Sequence, residues 1–323
     1  MKKLRSLDVC AGAGGLALGL EQAGFEPVLL IDKKSVACES LRLNRPSWQV
    51  LETDLLDFDP VNHQQCYDVD LLSAGLPRVK STATRGRTTD GDEEVRLLEA
   101  TIYLVHAVQP RALLIENVPG LAGAPEFAEF RDFAHKELVH LGYTFNWFVL
   151  NAADFGVPQD RKQGVLVAMK RDGSRDYRPP EATVSRHVSV GQALHASMSA
   201  RGWTDADDWA ASADVVAPTV VGGSEKRGGA DVGPTGTKRA WARMGINGGA
   251  FSEEVPGPDG VQESDTSGSP LKKLTVAQTA VLQSFPAGWQ FAGGKTARYR
   301  QIGHASPPPV GHALGMSIAE ALI

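Results

Sequence analysis

Short apolar runs that end on an acidic residue or a glycine turn alternate with amphipathic stretches over the first 120 positions. Leu4 and the run 7–9 predict a strand. Gly12, Gly14 and Gly15 predict a turn, and Leu16, Leu18 and Leu20 open a helix over 16–23 that stops at Gly24. A second strand is expected over 26–31, ending at Asp32, and a second helix over 35–43. Further strands are expected over 50–54, 67–72 and 112–115, with a helix over 94–108 before the last of these. Strands over 145–150 and 164–169 complete the series. Near-continuous apolar strands alternating with helices predict a parallel sheet covered on both faces. The expected fold class is α/β, a doubly wound Rossmann-like sheet with a smaller second domain.

The pattern changes near residue 172. Pro179-Pro180 opens a linker, and 190–200 carries a short helical pattern. Residues 217–247 are glycine-rich and irregular, with Lys226, Arg227, Lys238, Arg239 and Arg243 against Glu225 and Asp231. Trp241 lies within this stretch, and Trp203 and Trp209 lie just before it. Two readings stand side by side: a DNA-facing surface, or a small loopy domain whose tryptophans form its core. Residues 251–269 are rich in Glu, Asp, Gly, Pro and Ser and are expected to be a mobile surface loop. A final helix is expected over 310–322.

Composition narrows the class. The chain has 323 residues, 42% hydrophobic and 22% charged, the balance of a globular protein. Its formal net charge of −5 argues against coating nucleic acid by bulk charge, but leaves room for a local basic groove. Cys10, Cys38 and Cys66 make neither a disulfide framework nor a paired metal motif, so no metal is expected and a reducing cytoplasm is the simplest setting. Met1-Lys-Lys-Leu-Arg leads straight into a strand and does not read as a signal peptide, and no apolar run is long enough to span a membrane.

The candidate chemistry gathers at the strand ends. The turn from Asp8 through Cys10, Ala11, Gly12, Gly14 and Gly15 to Leu16 would let a ligand approach the backbone at a helix N-terminus. Its spacing departs from the G-x-G-x-x-G dinucleotide fingerprint, which disfavours a nicotinamide oxidoreductase, and Asp8 suits a positively charged ligand group. Asp32 reads either as an acceptor for ribose hydroxyls or as a helix N-cap. The fourth strand runs into a long polar loop, with Arg78, Lys80, Arg85 and Arg87 followed by Asp90, Asp92, Glu93 and Glu94. A loop of that length is either functional or a solvated surface.

Six stretches in order resemble the DNA (cytosine-5) methyltransferase family. They are Asp8 to Gly15, Gly75-Leu-Pro77, Glu116-Asn-Val118, Phe155-Gly-Val-Pro-Gln-Asp-Arg161, Leu274-Thr-Val with Leu282-Gln-Ser-Phe-Pro286, and Tyr299-Arg-Gln-Ile-Gly-His-Ala-Ser-Pro-Pro308. The resemblance implies S-adenosylmethionine as cofactor, with S-adenosylhomocysteine as product, and a flipped cytosine in double-stranded DNA as substrate, in a restriction-modification setting. In this family a cysteine thiolate adds to carbon 6 of the base, and carbon 5 then attacks the methyl group. By the same resemblance the glycines line the methionine end of the cofactor, Asp32 the ribose and Asp54 the adenine, with Lys33 and Leu55 also in the cofactor-binding set. Pro77, His304 and Ala305 complete that set. Glu116 grips the base, with Asn117, Arg161 and Gln163 in the same pocket. The implied division is a cofactor-binding catalytic domain over 1–175, a target-recognition domain over 176–280 and a return to the catalytic domain over 281–323. DNA would be met by residues 78–96 and 217–247, by a monomer or weak dimer.

The family's nucleophile is missing. Its Pro-Cys is Pro77-Arg78 here, and none of the three cysteines lies in that motif. Cys10 takes a position where the family usually has an aromatic residue. The second arginine of Gln-x-Arg-x-Arg is Gln163, and the asparagine of Gly-Asn-Ala is His304, which reads equally as a site residue or a packing residue. The expectation is an inactive or altered-chemistry methyltransferase, with a non-catalytic DNA reader as the alternative. Altered chemistry on another base or on RNA is a third reading.

Overall fold

The computed structural model describes residues 3–79, 90–171, 176–223, 230–263, 265 and 269–323, with only the backbone at 90–92. The chain divides into two compact units. The first comprises Met1–Leu150, Lys162–Glu181 and Val310–Ile323, and the second Asn151–Arg161 and Ala182–Pro309.

The first unit is built on a seven-stranded sheet. Its strands are β1 (Leu4–Val9), β2 (Phe25–Asp32), β3 (Val50–Glu52), β4 (Leu71–Gly75), β5 (Ala112–Asn117), β6 (Tyr143–Asn151) and β7 (Lys162–Lys170). They lie in the order β3-β2-β1-β4-β5-β7-β6. β1 to β5 pair in parallel, and β7 runs antiparallel to β5. Leu7, Leu30, Leu71, Leu72, Leu113 and Leu114 are fully buried, as expected of strands covered on both faces. The order reverses between β1 and β4, and ligands of such sheets bind outside the strand ends at that switch point. The helices of this unit are α1 (Gly15–Gln22), α2 (Ser35–Asn44), α3 (Asp90–Val108) and α4 (Ala128–His140). To these the chain's last helix adds its residues from Val310 onward. Gly311 and Gly315 of that helix lie against α1, where a Cβ would fall 2.9 Å from the Leu16 carbonyl oxygen and 2.6 Å from the Ala23 Cβ respectively.

In the second unit the helices are α5 (Val190–Met198), α6 (Ala206–Ser212), α7 (Thr235–Arg243), α8 (Val276–Leu282), α9 (Lys295–His304) and the start of α10 (Pro308–Leu322). A two-residue parallel ladder joins Gln159–Asp160 to Ala217–Pro218. Ser189 with Gln192 and Thr275 with Gln278 form capping boxes that start α5 and α8.

Several expectations need correction. The fourth strand lies at Leu71–Gly75 rather than over 67–72, because Asp68 turns at φ 50° and gives its N–H to Val108 O. The third strand ends at Glu52, and Asp54 caps a short turn by accepting the Leu56 N–H. The stretch 217–247 contains α7, whose Trp241 is fully buried with Trp203 and Trp209 in one core cluster. The tryptophans are therefore core and not an exposed stacking surface. The expected mobile loop at 251–269 is anchored, where described, by buried Gln262, which donates to Glu254 O and Lys273 O. The second unit takes in Asn151–Arg161 and runs on to Pro309, so the return to the first unit comes at Val310 rather than near 281.

Candidate functional site

At the end of β1 the backbone turns left-handed three times, at Cys10 (φ 51°), Gly12 (φ 54°) and Gly14 (φ 86°). Nothing lies within 4 Å of the place a Cβ would take on Gly12. Glycine is needed there for its conformation, and the turn faces open space. The Gly12 N–H donates to Asp32 Oδ2 at 2.8 Å, and the Lys34 N–H donates to Oδ1 at 2.8 Å. The Asp32 carboxylate is thus fixed at the end of β2 with lone pairs left over. Burial pushes its pKa up, and the two backbone donors and Lys34 and Lys33 oppose that shift. Asp54 holds the Leu56 N–H on Oδ1 and meets Lys33 Nζ at 3.4 Å on Oδ2. Lys33 also pairs with Glu93 on the first turns of α3. Leu16 and Leu55 are buried beneath this edge.

Asp8 does not open onto this crevice, which corrects its reading as a partner for a charged ligand group. Its carboxylate is 2% exposed and accepts the Ser6 hydroxyl at 2.8 Å and the Ser73 hydroxyl. Desolvation raises its pKa to about 6, against the lowering effect of the two hydroxyls.

The loop that carries residue 78 is fixed by Asn117. β4 and β5 set Gly75 opposite Glu116. The buried Asn117 side chain accepts the Val79 N–H at 3.0 Å and the Val118 N–H at 2.9 Å. Its amide donates to Pro77 O at 3.1 Å and Leu76 O at 3.4 Å. Leu76 and Val79 are buried, Pro77 is exposed and Arg78 is half-buried. Asn117 was expected in the pocket as a catalytic residue; here it works on the loop. Glu116 is buried beside it on β5. Gln163 is buried on β7, next to Gly164, where a Cβ would fall 2.4 Å from Val118 O.

None of the three thiols is primed as a nucleophile. Cys10 is pushed up to about 12 by burial and by Asp32 and Asp54, and burial pushes Cys38 and Cys66 up to about 11. Thiols shifted upward carry almost no thiolate at neutral pH.

In the second unit, fully buried Arg161 sends Nη1 to Val220 O and Gly303 O, both at 3.1 Å. Gln159 accepts the Val220 N–H at 2.7 Å and donates to Gln283 Oε1 at 2.8 Å. Gln283 in turn donates to Ile302 O at 2.7 Å and Ala305 O at 3.0 Å. Gln159 and Gln283 were not singled out from sequence, although both lie inside motifs that were. His304 lies against Gly222 and Gly223. Lys80, Arg85, Arg87, Lys226 and Arg227, expected to face DNA, lie outside the described residues. Among the described residues no group of acidic, cysteine and histidine side chains could hold a metal, and no helix is long and apolar enough to cross a membrane.

The family of C-5 cytosine-specific DNA methylases matches residues 4–320. Type II methyltransferase M.NaeI of Lentzea aerocolonigenes is 40% identical over 326 residues, covering 100% of this chain and 76% of that protein. Type II methyltransferase M.NgoMIV of Neisseria gonorrhoeae is 38% identical over 321 residues, covering 98% of this chain and 97% of that protein. Among solved structures, a Dnmt2 variant of Spodoptera frugiperda superposes with a TM-score of 0.63 at 14% identity, over 98% of this chain and 99% of that one. Dnmt2 of Schizosaccharomyces pombe gives a TM-score of 0.61 at 16% identity, over 97% of each chain. These two likenesses concern the fold.

Proposed function

The chain belongs to the C-5 cytosine-specific DNA methylase family, and on that premise we propose that it keeps the family's cofactor crevice and base-gripping glutamate without the nucleophile. The family's methyl donor is S-adenosylmethionine, and its substrate is double-stranded DNA. The residues present fit that donor: a fixed carboxylate at Asp32 for ribose hydroxyls, a second at Asp54 for an adenine amine, and a glycine turn facing open space. When bound, the donor supplies an electrophilic methyl group. Asp32 and Asp54 orient it, with Lys33, Leu55 and Pro77 completing its surroundings within the first unit. Glu116 holds the extruded base through ring nitrogen 3.

The observation that carries the reading is Arg78, held on the loop that Asn117 pins beside Glu116. A guanidinium stays protonated and cannot add to carbon 6 of cytosine. Ordinary methyl transfer is accordingly near silent, and the chain is an inactive or altered member acting in a bacterial cytoplasm as a monomer or weak dimer. A second reading is a non-catalytic reader. It is favoured by the same half-buried Arg78 beside exposed Pro77, since a guanidinium suits a phosphate or the edge of guanine.

Calorimetric titration with S-adenosylmethionine, paired with duplex-DNA binding by wild type and Arg78→Ala, tests both. Cofactor binding with DNA affinity retained in Arg78→Ala supports the altered enzyme. Cofactor binding absent, with DNA affinity lost in Arg78→Ala, supports the reader. Neither cofactor nor DNA binding by wild type contradicts both.

A further inference from the structure

Three motifs far apart in sequence converge within the second unit on one short segment, Thr219 to Gly223. Gln159 takes the Val220 N–H at 2.7 Å, and the Thr219 hydroxyl donates to Asp160 O at 2.7 Å. Arg161 Nη1 ties Val220 O to Gly303 O. Gln283 links Gln159 to the carbonyls at the end of α9. The segment is thereby fixed on one side by buried side chains.

On its other side lies His304, which is exposed. A Cβ on Gly222 would fall 2.1 Å from His304 Cδ2 and 2.4 Å from Nε2. A Cβ on Gly303 would fall 2.4 Å from the Gly222 nitrogen. The imidazole Nε2 lies 3.3 Å from Gly223 O. Only glycine at 222 and 303 allows this approach. The residue that differs from the family's asparagine is thus placed against the segment of the second unit that leads toward Lys226 and Arg227.

We propose that His304 is a positioning residue that fixes the Thr219–Gly223 backbone for sequence discrimination on duplex DNA. This rests on the reading of the chain as a DNA-binding member of its family. The duplex is the partner because Arg239 and Arg243 stand exposed on α7 of the same unit. The side chain acts through backbone geometry, so its loss changes which duplex is preferred more than how tightly duplexes are held.

The test begins with selection of a preferred site by the full-length wild type from a randomised duplex library. Binding of the selected and a scrambled duplex is then measured for wild type, His304→Ala, His304→Gln and Gly222→Ala. The expected result is a loss of about tenfold in the ratio of selected to scrambled affinity for His304→Ala and Gly222→Ala, the size of one mismatched base pair. His304→Gln, whose amide reaches the place of Nε2, should keep most of that ratio. Affinity for scrambled duplex and for S-adenosylmethionine should stay within about twofold, which a general loss of folding would not allow. An unchanged ratio in His304→Ala overturns the proposal while leaving DNA binding intact. So does an unchanged ratio with weakened S-adenosylmethionine binding, which would return His304 to the cofactor's surroundings. Wild type that selects no duplex overturns both this proposal and the DNA-binding reading beneath it.

Discussion

Asn117 holds the loop that carries Arg78. Its side chain satisfies two backbone N–H groups and two carbonyls. Asn117→Ala should destabilise the protein by about 2–4 kcal/mol in urea unfolding, because it leaves buried backbone groups without partners. Asn117→Asp should cost at least as much, because it sets a buried carboxylate against Pro77 O and Leu76 O. Asp8 makes a pH prediction. Its pKa is about 6 folded, against 3.8 for an ordinary aspartate, so between those values the folded chain holds a proton that the unfolded chain has released. Stability therefore falls as pH rises through this window, and the penalty is complete above about pH 6, on the order of 3 kcal/mol. Asp8→Asn can keep both serine contacts, so its stability advantage over wild type should grow between pH 4 and pH 7. Equal pH slopes in the two proteins would contradict this. Asp8 also marks a limit of reading sequence: an acid near a strand end looks like a ligand for the crevice, and only the pairing of β1 with β4, which brings Ser73 alongside, shows that it is buried.

At the scale of elements, the sheet was legible because each buried strand is an apolar run and each turn is marked by glycine or an acidic residue. β4 was misplaced by about four residues because Tyr67 to Asp70 carries the same alternation as a strand while its backbone turns at Asp68. The second unit was much less legible. Its order comes from side-chain clasps at Gln159, Arg161, Gln262 and Gln283, and single polar residues leave no period in the sequence. Close packing of the last helix on α1 makes its own prediction. Gly315→Ala should cost about 1–3 kcal/mol by overpacking against Ala23. Gly12→Ala meets no neighbour, so its cost is the left-handed backbone alone, about 1–2 kcal/mol. Thermal unfolding of the two variants separates clash from backbone strain, and a clash-free Gly315→Ala would show that the helices sit further apart.

For the molecule as a whole, a net charge of −5 means that affinity for DNA has to come from local basic groups. Arg239 and Arg243 stand one turn apart and exposed on α7, while Lys238 is paired with Asp231 at 2.6 Å. Arg239→Ala with Arg243→Ala should reduce the slope of log affinity against log salt by about 2, the share of two phosphate contacts. An unchanged slope would move the DNA surface elsewhere. The family was legible from six ordered motifs; the roles of Asn117, Gln159 and Gln283 were not, because they act on backbone that only the fold brings together. The proposed function rests on a cofactor crevice and a base-gripping Glu116 that remain without the thiolate. Its most direct measurement is methyl transfer from labelled S-adenosylmethionine to duplex DNA by wild type and Arg78→Cys, with label located at cytosine carbon 5. The expected result is background incorporation by wild type and a gain of about a hundredfold or more in Arg78→Cys, the scale of a restored catalytic nucleophile. Carbon-5 methylation by wild type, or none by a folded, cofactor-binding Arg78→Cys, would contradict it.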